Sequence, residues 1–172
     1  MFMFNDSDLQ EYRALAPAIY PDCTTLVLVS MPSVDSEVDQ FYFADSSNRF
    51  WPVMGAIFNM PSETKEERLA ILEQNHVGIW SVVKSCMRYL SREDTMQDIV
   101  LNDISGFLKE HPSIKRIVCV SHDALRLLQE ADGQAAAIAC YVPSPSAADL
   151  WYDSVEKLVP EYQKAFGLNS EF

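Results

Sequence analysis

The sequence predicts an α/β fold, a sandwich built on a parallel or largely parallel sheet. Three observations predict it. Four short apolar runs, rich in β-branched residues and bounded by turn residues, have the length of buried strands. Segments with apolar residues at helical spacing lie between them, and strands alternating with helices require crossovers and parallel pairing. At 172 residues and 48% hydrophobic content, the chain has the size of one domain with one core, so residues 1–172 are read as a single unit.

The elements follow in order. Leu9 to Ile19 reads as a short helix or extended lead-in that closes at Pro21-Asp22. Thr25-Leu26-Val27-Leu28-Val29 is the central strand. The loop Ser30–Ser47 leaves its carboxyl end, where such sheets carry their chemistry, and a connection that long is more often functional than idle. Phe50, Val53/Met54 and Ile57/Phe58 predict a helix that Ser47 or Asn48 caps. Thr64-Lys65-Glu66-Glu67 is a capping box that opens a helix to about Asn75, with Leu69 and Leu72 inward.

Val77–Val83 is the second strand, and Ser91–Val100 reads as an exposed loop. Asn102-Asp103 starts a helix with Ile104, Phe107 and Leu108 on one face, ending at His111-Pro112. Ile117–Val120 is the third strand. Ser121 or His122 then caps a helix over 124–130, Asp132-Gly133 turns the chain, and Ala136–Val142 is the fourth strand. Ala147 to Phe166 closes as a helix with an inner stripe of Trp151, Val155, Leu158/Val159, Tyr162 and Phe166, which Pro160 kinks or divides.

Net charge is −12, from 25 acidic against 13 basic residues, which predicts weak, salt-sensitive association with nucleic acid. No apolar run approaches the ~20 residues of a membrane span. The N-terminal Met1-Phe2-Met3-Phe4-Asn5-Asp6 lacks the basic flank and long apolar core of a signal peptide. Cys23, Cys86, Cys119 and Cys140 form no CxxC pair, so buried free thiols in a reducing cytoplasm are expected rather than a metal site.

No Walker loop, GxGxxG, HExxH or GxSxG occurs. His76 and His111 stand at helix C-termini, where a cation suits the dipole, whereas His122 follows a buried strand at the functional end of the sheet. Asn48 has two readings: a helix cap, or an amide that holds a water or base edge in a pocket beside Tyr42 and Phe50. Tyr42, Phe43 and Trp51 suit core or platform. Asp35, Asp39 and Asp45 in the loop are candidates to activate water.

The same residues carry a resemblance. Ser30-Met31-Pro32, Tyr42-Phe43-Ala44 and Asn48-Arg49-Phe50-Trp51 are similar to the first motif block of the uracil-DNA glycosylase superfamily, nearest its hypoxanthine-DNA (deoxyinosine) branch. Trp80 to Cys86, Asn102-Asp103-Ile104, His111-Pro112-Ser113-Ile114 and Val142 to Ser146 resemble further segments of that branch in the same order. The resemblance implies a three-layer sandwich, a central four-stranded parallel sheet between helices, with a base pocket at the strand ends. It implies a base-excision repair enzyme that flips a deaminated base, hypoxanthine or uracil, out of DNA. The enzyme would hydrolyse the N-glycosidic bond without metal or organic cofactor. The resemblance makes Asn48 catalytic, builds the base pocket from Ser30, Met31, Pro32, Ser33, Tyr42, Phe43, Phe50, Ser121 and His122, and sets Ser144 and Ser146 on DNA phosphates.

Departures accompany it. Val29 and Ser33 stand where the family has motif glycines, which permit close backbone approach. Ser81 replaces an aspartate, Cys119-Val120-Ser121 stands for F-N-G, and Pro145 and Ala147 replace a threonine and a proline. Two alternatives therefore stand beside the glycosylase: a non-catalytic descendant that binds a protein or small molecule, and a hydrolase acting on free nucleosides. A basic patch converging on Ser30–Asn48 and Ser144 marks the DNA enzyme, an acidic rim around a closed pocket marks the free-nucleoside hydrolase, and a filled pocket marks the binder.

Overall fold

The computed structural model describes residues 6–168; the part of the N-terminal segment before Asp6 lies outside the described residues. The strands are β1 (Gln10–Arg13), β2 (Thr25–Val29), β3 (Val77–Ser81), β4 (Val83–Arg88), β5 (Gln97–Leu101), β6 (Arg116–Cys119) and β7 (Ala139–Tyr141). The helices are α1 (Val34–Asp39), α2 (Phe50–Phe58), α3 (Lys65–Gln74), α4 (Ile104–Glu110), α5 (His122–Ala131), α6 (Gly133–Ala136) and α7 (Val155–Ala165).

The apolar runs pair as a parallel four-stranded sheet of order β3-β2-β6-β7. All five residues of β2 are buried, as a central strand covered on both faces requires. Alternation divides it: Val27 and Val29 pack with Phe50, Trp51, Met54, Leu72 and Tyr162 from α2, α3 and α7. Leu26 and Leu28 pack on the other face with Ile104, Ala124, Leu127 and Leu128 from α4 and α5. The three layers are therefore present, and the strand ends meet at one edge.

The structure differs from several expectations. The lead-in takes the extended of its two readings as β1, which pairs antiparallel with β4 in a second, unforeseen sheet of order β1-β4-β5. The run Val77–Val83 is two strands: the chain leaves the first sheet after Ser81 and enters the second at Val83. Val82 N–H donates to Val29 C=O (2.9 Å) and the Ser81 hydroxyl to Val83 C=O (2.7 Å). β5 replaces part of the loop over Ser91–Val100; every one of its residues is exposed, so it shows no alternation. The long loop carries α1, capped by Ser33. Residues 136–138 are not strand, because Asp132 accepts the Gln134 and Ala135 N–H groups and winds α6.

The last helix starts at Val155, not Ala147. Asp149 Oδ1 accepts the N–H groups of Trp151 (2.9 Å) and Tyr152 (2.8 Å), a local turn that competes with helix until Ser154 caps α7. Trp151 is consequently 81% exposed instead of inward. Pro160 neither ends nor divides α7, which runs through it with Leu158 and Tyr162 buried.

His76 follows α3 and His111 follows α4. The His76 carbonyl accepts Thr24 N–H, and His111 closes α4 with Nδ1 3.0 Å from Phe107 C=O. Among the described residues, no helix is long and apolar enough to cross a membrane.

The four cysteines are free thiols. Burial pushes Cys23 to about 11 and Cys119 to about 12, and raises Cys86 and Cys140. Thiolate is the reactive form. The native protein at pH 8 is therefore expected to react slowly with Ellman's reagent at all four positions, and quickly once denatured. A fast-reacting thiol in the native protein would contradict this burial.

Candidate functional site

At the carboxyl end of β2 and β6 an open cleft of about 490 Å³ separates the loop after β2, the segment before α2, the start of α5 and the loop before α7. Ser30, Met31, Pro32, Ser33, Tyr42, Phe43, Asn48, Ser121, Ser144 and Ser146 all line it. Phe50 and His122 do not. Phe50 is wholly buried behind Phe43, its ring stacked 3.8 Å from Phe43's between centroids. Trp51 is buried core as well. The His122 side chain is exposed and its ring meets Tyr141 edge-on. Phe43 reaches the cleft by a left-handed backbone, φ 55°, an outlier for a bulky residue and a mark of local constraint.

Tyr42 is buried, and its hydroxyl donates to the carbonyls of Leu15 (3.2 Å) and Ala16 (2.7 Å). It offers the cleft only its ring. Burial raises its pKa above the ordinary phenol value, so it is neutral at physiological pH.

The geometry of Asn48 leaves room for both of its readings. Its Oδ1 accepts Phe50 N–H at 2.8 Å, so it does hold the first turn of α2, although Arg49 stands at the cap position. A backbone N–H can only donate, which commits the amide oxygen to the helix and leaves Nδ2 as the donor this cleft-lining residue can offer. Arg49 ties that turn to the opposite lip: its N–H donates to Pro145 C=O (2.8 Å) and its Nη1 to Ser146 C=O (3.0 Å).

The serines follow the same rule. Ser121 accepts Ala124 N–H (3.0 Å), Ser144 accepts Ser146 N–H (3.2 Å), and Ser146 accepts Ala148 N–H (3.1 Å). Each keeps its hydroxyl proton free to donate. The cleft is thus rimmed with hydrogen-bond donors, the groups that carbonyl and phosphate oxygens take. Val29 and Val120 form apolar wall where the motif has glycine and asparagine. Ser81 is fully buried at the β3–β4 junction and does not line this cleft, so its replacement of an aspartate leaves the cleft wall unchanged.

Charge points the other way. Asp35, Asp45, Glu93, Asp123 and Asp149 line the cleft, and among the described residues no Lys or Arg does. Asp39 does not line it. Among the described residues no group of three or more His, Cys, Asp or Glu side chains is arranged to hold a metal ion.

Sequence reasoning does not find Glu93 or Asp123. Glu93 is on a 3₁₀ turn (Glu93–Thr95) between β4 and β5, and Ser30 Oγ donates to its Oε1. Burial, then the Asp123 carboxylate, push Glu93 up to about 7, against the opposing pull of Arg88 and Arg126. Polar composition over Ser91–Val100 carries no signal of this, because the groups that act on Glu93, Ser30, Arg88, Asp123 and Arg126, lie elsewhere in the sequence.

Known proteins resemble this chain in sequence and in fold. The profile of the uracil DNA glycosylase superfamily matches residues 17–164. A hypoxanthine DNA glycosylase of Methanosarcina acetivorans is 34% identical over 106 residues, which are 60% of this chain and 66% of that protein. A hypoxanthine DNA glycosylase of Methanosarcina barkeri is 27% identical over 108 residues, 62% of this chain and 68% of that one. The matched region thus spans about two thirds of the length of each relative. A solution NMR structure from M. acetivorans, described as a candidate uracil DNA glycosylase, superposes with a TM-score of 0.77 at 24% identity. It covers 91% of this chain and 97% of that one, and shows the shared fold.

Proposed function

Because the chain belongs to the uracil-DNA glycosylase superfamily, we propose that it is a monofunctional DNA glycosylase acting on a deaminated base, hypoxanthine or uracil. The observation that carries this reading is the donor set at the cleft, with Asn48 Nδ2 among them. Deamination replaces an exocyclic amino group by a carbonyl oxygen, and donors recognise the oxygen while rejecting the amine.

The base, extruded from the stack, enters between the Phe43 ring and the Val29 and Val120 walls. As the C1′–N bond breaks, negative charge grows on the base, and a fixed amide N–H is well suited to stabilise it. Asn48 does not itself move a proton. The Ser144 and Ser146 hydroxyls donate to phosphate oxygens beside the lesion and set the strand's register. Because no lysine lines the cleft among the described residues, no amine is available there to form a Schiff base. The product is an abasic site that breaks only on treatment with alkali.

Leu150 and Trp151, 88% and 81% exposed, stand directly beyond cleft residue Asp149. Large apolar side chains held in water at the lip suit insertion into the gap a flipped base leaves. Trp151→Ala is expected to weaken binding to inosine-containing duplex by roughly tenfold, the worth of about one stacked base. Fluorescence anisotropy on duplex and single strand checks it; equal affinity to the wild type would remove Trp151 from the interface.

The test of the whole reading is cleavage of labelled oligonucleotides carrying inosine or uracil, single- and double-stranded, at low salt and followed by alkali. Scission at the modified base is the expected result. A protein that leaves every such strand intact is not a DNA glycosylase. The acidic lining, though around an open rather than a closed cleft, favours a second reading, hydrolysis of free nucleosides, which need no approach of phosphate. Release of hypoxanthine from deoxyinosine, with oligonucleotides untouched, would select it.

A further inference from the structure

We propose that Glu93 is the general base of this cleft: its carboxylate takes the proton of the water that attacks the anomeric carbon. The inference rests on the glycosylase reading and assigns the proton transfer that Asn48 cannot perform.

Glu93 reaches the cleft from the second sheet and lines it together with Asn48, Phe43 and Ser121. Ser30, buried just beyond the end of β2, donates to Glu93 Oε1 and so fixes the carboxyl group at the cleft wall. The other carboxylates lining the cleft are engaged or exposed. Asp45 accepts the N–H and hydroxyl of Ser47, each at 2.9 Å. Asp149 holds the turn before α7, and Asp123 pairs with Arg126 at 3.3 Å. Asp35 is exposed on the first turn of α1.

Electrostatics then suit Glu93 to this role. The charged groups acting on it are Asp123 and Arg126 on α5 and Arg88 on β4; Cys86, also on β4, faces it as a buried thiol. Burial and Asp123, which lies within hydrogen-bonding reach of Glu93, outweigh the two arginines and bring the carboxyl to about 7. A base is most effective when its pKa lies near the working pH.

In the reaction, the water oxygen forms a bond to C1′ while the C1′–N bond breaks, its electron pair staying on the base nitrogen. The water proton goes to Glu93. Glu93 then releases that proton through solvent to the departed base anion, which restores the carboxylate for the next turnover.

Single-turnover rates on an oligonucleotide carrying deoxyinosine, measured from pH 5.5 to 8.5, test this. For the wild type, the rate should rise about tenfold per pH unit below 7 and level off above it. Glu93→Gln, which keeps the shape and the Ser30 contact, should lower the rate at pH 8 by about 100-fold or more and flatten the rise. Asp123→Asn removes a like charge, so it should move the inflection to lower pH, a shift no merely structural role produces. A flat wild-type profile, or a Glu93→Gln protein as fast as the wild type, overturns the assignment of Glu93 while the glycosylase reading stands. A wild type inert on every strand overturns that reading, and this one with it.

Discussion

Asn48→Ala is expected to lose cleavage of inosine-containing DNA by about two to three orders of magnitude while remaining folded. The magnitude is that of removing one fixed donor from developing negative charge, roughly 2.7–4 kcal/mol of barrier. The same change deletes the acceptor for Phe50 N–H and so costs about 1 kcal/mol of stability. Activity and stability must therefore be separated. Asn48→Ser does so, since a serine oxygen can accept the same N–H in a local turn but presents no amide donor. The serine variant should recover most of the lost stability and none of the lost activity. Both are read by urea unfolding alongside single-turnover cleavage. If Asn48→Ser cleaves like the wild type, the amide acts only as a cap, and the chemistry lies with the serines and Glu93.

What was legible in the sequence was local. The strand Thr25–Val29 announces itself because five consecutive apolar or β-branched residues must be covered on both faces. Thr64 and Glu67 announce α3 because the two residues satisfy each other's backbone donors, and the structure shows both bonds. The cleft residues Ser30–Ser33 and Asn48 were legible through motif likeness. Asn48's two readings are compatible because one amide has two ends.

What was not legible depends on contacts between distant segments. The switch of sheets at Val82 hides inside one apolar run, since both strands are buried there. The exposed β5 has no periodicity to read. Trp151 sits at helical spacing from Val155 and Leu158, yet the Asp149 side chain diverts the backbone first. Glu93 looks like any surface carboxylate until β4 and β5 fold it against Ser30.

Arg88→Met is expected to destabilise the protein by about 3 kcal/mol at neutral pH or above, in the range found when one partner of a buried charge group is removed. Arg88 is 1% exposed at the end of β4, its Nη2 donating to Pro32 C=O at 2.7 Å and its guanidinium 4.8 Å over the Tyr12 ring. Its Nε and the nearby Glu37 Oε2 are buried without hydrogen-bond partners, so the site is held by charge more than by matched bonds. Methionine fills similar space but leaves the Glu93 carboxylate without this counter-charge. Arg88 lowers the pKa of Glu93, so in its absence that value rises further above 7. Below the unfolded value of about 4.3, Glu93 is protonated in both states and costs nothing. As pH rises from there through the folded value, the unfolded chain ionises first, so stability is lost over that window. The loss in Arg88→Met should therefore be larger at pH 8 than at pH 5, as read by urea midpoints at the two pH values. Because Arg88 also anchors Pro32, the loop that carries Ser30 should loosen and cleavage should fall with it. Equal destabilisation at both pH values would mean that Arg88 matters for packing and the Pro32 bond alone, and that the carboxylate in the cleft does not depend on it.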